Sequence, residues 1–386
     1  MGTELLYQEL LSAVSLEGPH AVLRVIATYQ PAGGPGSKVF PPTYPASDNK
    51  ATYQTEPRML DGREQPAVLL DSVPSQANRA EEALLRARRS GVVSVPLIQI
   101  EHDGEATAIL TSLEFPHRYA DAYLRDSLLD GVAFDKTDLG RSLQAASLED
   151  ATALFTHDPG SLVYGAWNSH RKGRKRNFPR VYASEVIGWG PVEGRRHAGR
   201  MDPLNLQGAA QTPTKGDHPW KYDPVPTKVK GEKLSEIGHG NIRPNPQHGG
   251  VTITSAQRIA TLSLAGLDRL GFGALPRDAA LAARACLAAY ALLADRLAFG
   301  ASALWLRSGC ELVLESEQMA WVNRGGGVET FELSVPKAID LFELATAHSE
   351  KCGVPMETDP VRLVPSAELA KAIDFSLTKA DPEGDD

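Results

Sequence analysis

Residues 66–91 read PAVLLDSVPSQANRAEEALLRARRSG, a short apolar run that gives way to a helix. Val73, Ala77, Ala80 and Leu84 recur at helical spacing and form one apolar stripe, with Gln76, Arg79, Arg86 and Arg89 lying off it. Pro74 suits a first helical turn, Ser72 or Ser75 supplies a capping oxygen, and Gly91 ends the helix. The stretch ahead of it, PAVLLDS, predicts a strand.

Upstream, residues 3–15 predict an amphipathic helix carrying Leu5, Leu6, Leu10 and Leu11. AVLRVIATY (21–29) predicts a strand that the breaker sequence PAGGPG closes. Downstream, residues 95–115 predict two strands around a turn at His102-Asp103-Gly104. A helix from Pro116 to about Leu129 and two short helices between Thr137 and His157 come next. Ser161–Trp167 and Val181–Trp189 read as strands. The last third predicts a strand at Ala256–Leu264, an Ala/Leu helix at Arg277–Leu297 and a strand at Ala303–Leu314. A hairpin around Arg324–Gly327 and a final helix at Lys337–Lys351 complete it. Strands and helices intermix without a regular βα repeat, so the fold class is α+β and not a doubly wound sheet.

The chain has 386 residues and a formal charge of −8. It has no run of about 18 uncharged apolar residues, so no membrane is expected as a partner. Its N-terminus carries Glu4 and Glu9 with no basic segment ahead of the leucines, unlike a signal peptide. Cys286, Cys310 and Cys352 are widely spaced and odd in number, which suits reduced thiols in a cytoplasmic protein. The acidic end, residues 377–386, is expected to be a disordered tail.

Against this acidic background, Trp167–Arg200 holds nine Lys or Arg residues and only two acids, Glu185 and Glu193. Local cationic density beside aromatic residues fits a polyphosphate strand with exposed bases. Binding follows the local field and not the net charge. A merely solvated loop is the competing reading. Gly190–Gly250 contains 18 Gly or Pro residues in 61, too many for a packed core of its own. Trp220 and Tyr222 sit there among Lys215, Lys221, Lys228, Lys230 and Lys233.

Enzyme signatures are scarce. His117, Asp121 and Arg125 fall at helical spacing and suit either acid–base work or a structural polar network. No H-E-x-x-H, Walker A, G-x-S-x-G or G-x-G-x-x-G string occurs, so no metal or cofactor is expected. No RNP1 string occurs either.

LLDSVPSQANRAEEALL (69–85), TSLEFPHRYADAYLRDS (111–127), SEVIG (184–188), GRMDPL (199–204) and LRSGCELV (306–313) resemble the type I-G, formerly I-U, branch of CRISPR backbone subunits. These are RAMP-superfamily proteins with the Cas-seven role in Cascade, and the likeness runs from about Val39 to about Val313. The resemblance implies a modified RRM-like (ferredoxin-like) palm with finger and thumb insertions. On this reading residues 1–386 are one domain, with insertions at 30–66 and 167–250.

It also implies a non-catalytic subunit that binds crRNA, lines up with copies of itself in a helical filament and presents the guide to target DNA. The other expected partners are a large subunit, a Cas-five/Cas-six-type subunit and a helicase–nuclease recruited to the complex. The matching strings nominate Gln76, Asn78, Arg79, His117, Arg118 and Arg200 as RNA-binding residues, and Lys38, beside the start of the likeness, is nominated with them. Charge alone nominates Arg171, Lys172, Arg174, Lys175, Arg176 and Arg180. Two other readings stand beside this one. The first is a type III-like RNA-guided ribonuclease using Asp202 or Asp217, and the second is a guide-independent single-strand binder.

Neutralising Lys172, Arg174, Lys175 and Arg176 together should weaken RNA binding and flatten its salt dependence. The slope of log K against log salt should fall by up to about 3, from about 0.7 per charge on a single strand. An unchanged slope in a binding titration would reduce the tract to a solvated loop.

Overall fold

Alternation of buried and half-buried side chains sets the main sheet. In β1 (His20–Pro31), Leu23, Val25, Ala27 and Tyr29 point to one side, and Val22, Arg24, Ile26 and Thr28 to the other. The structure, a computed structural model, describes residues 2–15, 17–45, 51–104, 107–168, 176–195, 199–206, 208–211, 220–223, 232–235, 237–242 and 248–378. The tract residues Arg171, Lys172, Arg174 and Lys175 lie outside the described residues, as do Lys215, Asp217, Lys228, Lys230 and the end of the acidic tail.

The chain begins with α1 (Thr3–Ala13), and β1 is followed by the hairpin β2 (Thr55–Leu60) and β3 (Arg63–Asp71). Then come α2 (Val73–Arg89), β4 (Ile98–Asp103), β5 (Thr107–Thr111), β6 (Tyr182–Trp189) and β7 (Ser255–Ser263). The last third holds α3 (Arg277–Phe299), β8 (Ala303–Arg307), β9 (Cys310–Asn323), β10 (Val328–Phe331) and α4 (Val335–Lys351). β11 (Val361–Pro365) and α5 (Ala367–Thr378) follow.

The main sheet is antiparallel, in the order β8-β9-β1-β7-β6-β3-β2, with β10 beside β9. Counted along the chain, β1, β6, β7 and β9 stand in the order fourth, first, third, second. α2 lies in the connection between the first two of these four strands, and α3 in that between the last two. A smaller sheet runs Val132–Ala133, Ser127–Leu129, β11, β4, β5, with β11 parallel to β4. The expected α+β class is observed.

α3 is buried on almost every side. Ala279, Ala282, Ala283, Ala285, Ala288, Ala289, Ala291 and Ala294 are all at most 2% exposed. A helix apolar all round belongs in a core, and small side chains let α2 and α4 pack closely against it. Among the described residues no helix is long and apolar enough to cross a membrane.

Within this core α3 carries two charges, Asp295 and Arg296, that join a continuous polar chain. Arg258 of β7 and Asp295 are both 0% exposed and bond directly. The Tyr182 hydroxyl donates to Asp295 and accepts from Arg258 Nη2 at 2.6 Å. Arg258 Nε donates to Gln76 Oε1 (3.2 Å), which also accepts from Ser184 Oγ (2.9 Å). Gln76 Nε2 then donates to Asp71, as does Arg79 Nε at 2.8 Å. At the other end Arg296 Nε donates to Asp295 Oδ1 (2.8 Å), and its guanidinium forks onto Glu317 at 2.6 and 2.9 Å. The two arginines hold the Asp295 carboxyl well below the usual carboxylate range in spite of its burial.

Several sequence expectations change here. Ser72, not Ser75, caps α2, accepting from Ser75 N at 3.4 Å. Pro116–Leu129 is not one helix, because Arg118 takes φ +50°. The segment breaks into a 3-10 turn at Arg118–Ala120, a short helix at Ala122–Arg125 capped by Asp121, and a strand at Ser127–Leu129. Ser161–Trp167 is a strand only from Ala166: Pro159–Tyr164 is helical, started by Pro159 and stopped by Gly165 at φ +84°. Ala303–Leu314 is a hairpin, turning at Gly309 with φ +73°. α4 is not the final helix, since α5 follows.

Asp295→Asn should lower unfolding free energy by about 3–5 kcal/mol, because it leaves Arg258 buried without its counter-charge. Chemical denaturation measures this, and a loss below about 1 kcal/mol, the range of an exposed pair, would be inconsistent with a buried ion pair.

Candidate nucleic-acid interface

The first half of α2 forms one wall of a cleft of about 470 Å³. Pro74, Ala77, Asn78, Glu81 and Glu82 line that wall; Leu113, Glu114, Phe115 and Pro116 face it, and Arg118, Tyr164 and Arg180 close it. Helical spacing brings Pro74, Ala77, Asn78 and Glu81 to one side of α2. The loop after β5 reaches them because Glu114 Oε2 accepts from Thr111 N (3.1 Å) and Oγ1 (2.8 Å) and tightens the turn.

Arg118 stands at the back of the cleft. Its guanidinium forks onto Glu81, Nε to Oε1 at 2.6 Å and Nη2 to Oε2 at 2.8 Å. Nη1 donates to the Gly165 carbonyl at 2.9 Å, and the group lies 5.6 Å from the Tyr164 ring centroid. Glu81 is 3% exposed, and burial pushes its carboxyl from the usual 4.5 up to about 7 against the pull of Arg118. Nearby, Asp158 is buried and accepts from Ser161 Oγ at 2.6 Å, and burial raises its carboxyl too.

A β-hairpin rises beside the cleft, pairing Ala166 with Phe178, Trp167 with Asn177 and Asn168 with Arg176. The basic tract is the connection between these two strands. Phe178 is buried and packs edge-on against Tyr119 at 5.9 Å, anchoring the stem, while Trp167 is 61% exposed.

Of the nominated residues, the cleft gathers Asn78, Arg118 and Arg180; Asn78 and Arg180 are exposed. The backbone of Arg176 lies in the hairpin. Gln76 does not face the cleft. It is 0% exposed and bonded to Asp71, Ser184 and Arg258, which corrects its nomination as an RNA contact. Arg79 is half-buried and spent on Asp71 and, at 2.7 Å, on the Leu306 carbonyl. His117 is exposed beside the cleft, with its backbone N–H donating to Asp121 Oδ2 at 2.9 Å.

Lys38 belongs to a small sheet formed by residues 38–39, 192–193 and 251–252, where its Nζ donates to the Arg195 carbonyl at 3.1 Å. Arg200 pairs with Ile242 through the backbone beside a depression lined by Asp202 and His239.

His117, Asp121 and Arg125 do not share a helix face. Asp121 caps the short helix, and Arg125 forks onto Asp126 at 2.8 and 2.6 Å. The Asp202 carboxylate accepts from the backbone of Leu206 (2.9 Å) and Leu204 (3.1 Å), and these two amides hold its carboxyl below the usual range. Among the described residues no group of three or more His, Cys, Asp or Glu could hold a metal ion. All three cysteines are free.

Glu81 should couple stability to pH. Its proton is held more tightly in the folded than in the unfolded chain, so its contribution is present below about pH 4.5 and lost as pH rises to about 7. Glu81→Gln should therefore gain on the native protein between pH 5 and pH 8, by a free energy on the order of 3 kcal/mol at most. Thermal unfolding of both proteins at the two pH values measures it; a pH-independent gap would contradict the shift.

Residues 23–192 match the family model described as CRISPR-associated protein GSU0053 (Cas_GSU0053). No curated protein matches the chain. The matched stretch runs from β1 past β6 and so contains every residue that lines the cleft, and it supports a CRISPR-associated identity for this chain.

Proposed function

We propose that the protein is the crRNA-binding, self-assembling backbone subunit of a type I-G Cascade complex, holding guide RNA for pairing with target DNA. The observation that carries this reading is the cleft with exposed Asn78 and Arg180 at the foot of a hairpin whose connection is the basic tract. Arginine and lysine neutralise phosphates without reading sequence, which leaves selection to base pairing. Amide groups such as Asn78 reach sugar and base edges, and an exposed Trp167 offers a stacking face.

The family match supports a place among CRISPR components. The strand order of β9, β1, β7 and β6, with α2 and α3 in the two connections, supports an RRM-like palm. On this reading the remaining partners are copies of the same chain along one guide, other Cascade subunits and a recruited helicase–nuclease. A filament follows when a head-to-tail interface does not close, and the guide then limits its length.

Co-expression with a CRISPR array and neighbouring genes tests the proposal. Purified protein should carry RNA of uniform length in a multi-subunit particle. RNA that is absent or heterogeneous in length would overturn it, and cleavage of complementary RNA lost in Asp202→Ala would replace it with the ribonuclease reading.

A further inference from the structure

We infer that Arg118 is a positioning residue that aims the basic hairpin, and not itself a phosphate contact. The inference rests on the proposed RNA-binding role of the cleft. Each nitrogen of the guanidinium donates inside the protein, Nε and Nη2 to Glu81 and Nη1 to the Gly165 carbonyl, which engages three of its five N–H groups. With its bidentate edge taken by Glu81 and its side chain only 14% exposed, this guanidinium offers a phosphate far less than the neighbouring Arg180, which is exposed. The backbone bears a cost for the arrangement, since Arg118 sits at φ +50°, where an arginine is rarely found.

The target of Nη1 gives the geometry its meaning. Gly165 is the hinge between the helix Pro159–Tyr164 and the first hairpin strand Ala166–Asn168. It adopts φ +84°, and a Cβ placed there would lie 3.0 Å from both Arg180 N and Phe178 O on the returning strand. Arg118 thus ties this hinge to Glu81 on α2. Through it the wall of the cleft is tied to the stem of the hairpin, whose two strands the Lys/Arg tract joins in sequence. Lysine cannot reproduce the tie, having no planar fork to span Glu81 and the carbonyl together.

Salt dependence of RNA binding separates a clamp from a contact. Arg118→Lys keeps the charge, so a direct phosphate contact would leave the salt slope unchanged. A clamp predicts a slope that falls toward the value for the protein with Lys172, Arg174, Lys175 and Arg176 neutralised, a drop of about 2 or more out of a possible 3. Combining Arg118→Lys with those four substitutions should then produce little further fall. The probe is a labelled single-stranded RNA of mixed sequence, titrated with the full chain. Gly165→Ala, which removes no charge, should lower the slope in the same way and serves if Arg118→Lys does not fold.

Hydrogen exchange of the Ala166–Asn168 amides, measured without RNA, should rise in both variants. A folded Arg118→Lys protein with native slope and native exchange overturns the clamp, and so does a loss that adds in full to the four tract substitutions. If the tract substitutions themselves leave the wild-type slope unchanged, the proposed interface falls and the clamp falls with it.

Discussion

The fully buried bond between Arg258 and Asp295 joins the main sheet to the core helix. It ties the strand β7 to the core helix α3, and its neighbours extend it to β6 through Tyr182, to α2 through Gln76 and to β9 through Arg296 and Glu317. A charge with no solvent around it must find its partner. A one-residue slip of β7 would turn Arg258 to the other face of the sheet and leave Asp295 only Arg296 and Tyr182 as partners. The value of such a pair is register more than raw stability, because apolar replacements of equal size often do as well energetically.

How much of this was legible in the sequence depends on the range of the forces involved. α2 was legible almost residue by residue, since its stripe, cap and stop are local, as were β1, β6, β7 and α3. Pro116–Leu129 misled because its periodicity is helical while its backbone is bent by Arg118, whose partner Glu81 lies 37 residues away. β2, β11 and α5 were missed: β11 takes its place through pairing with β4, far back along the chain. The buried network left a faint trace. In SAQRIATL an arginine stands at an inward position among Ala256, Ala260 and Leu262, and in ALLADRLAF two charges interrupt an apolar helix.

The candidate site was half legible. The family-like strings singled out Asn78 and Arg118, and charge singled out Arg180, and the fold brings the three to one cleft; the same strings singled out Gln76, which the fold keeps for itself. Polarity shows that a side chain needs a partner but not whether that partner is RNA or the protein's own core. The carboxylates were invisible as site residues. Glu81, Glu82 and Glu114 give the cleft an acidic lining beside a hairpin whose connecting sequence is rich in Lys and Arg.

The long Gly/Pro-rich stretch between β6 and β7 joins two strands that are already paired to each other, from Tyr182–Leu262 to Trp189–Ser255. Its two ends therefore meet at a fixed gap whatever lies between them. The entropy of closing such a loop grows only with the logarithm of its length, so doubling it costs about 0.6 kcal/mol. Related chains can lengthen, shorten or rewrite this segment, and with it the reach of whatever it touches, at almost no expense to the sheet beneath. Variation in length is thus expected to gather at this one connection, while the strands on either side keep their residue count.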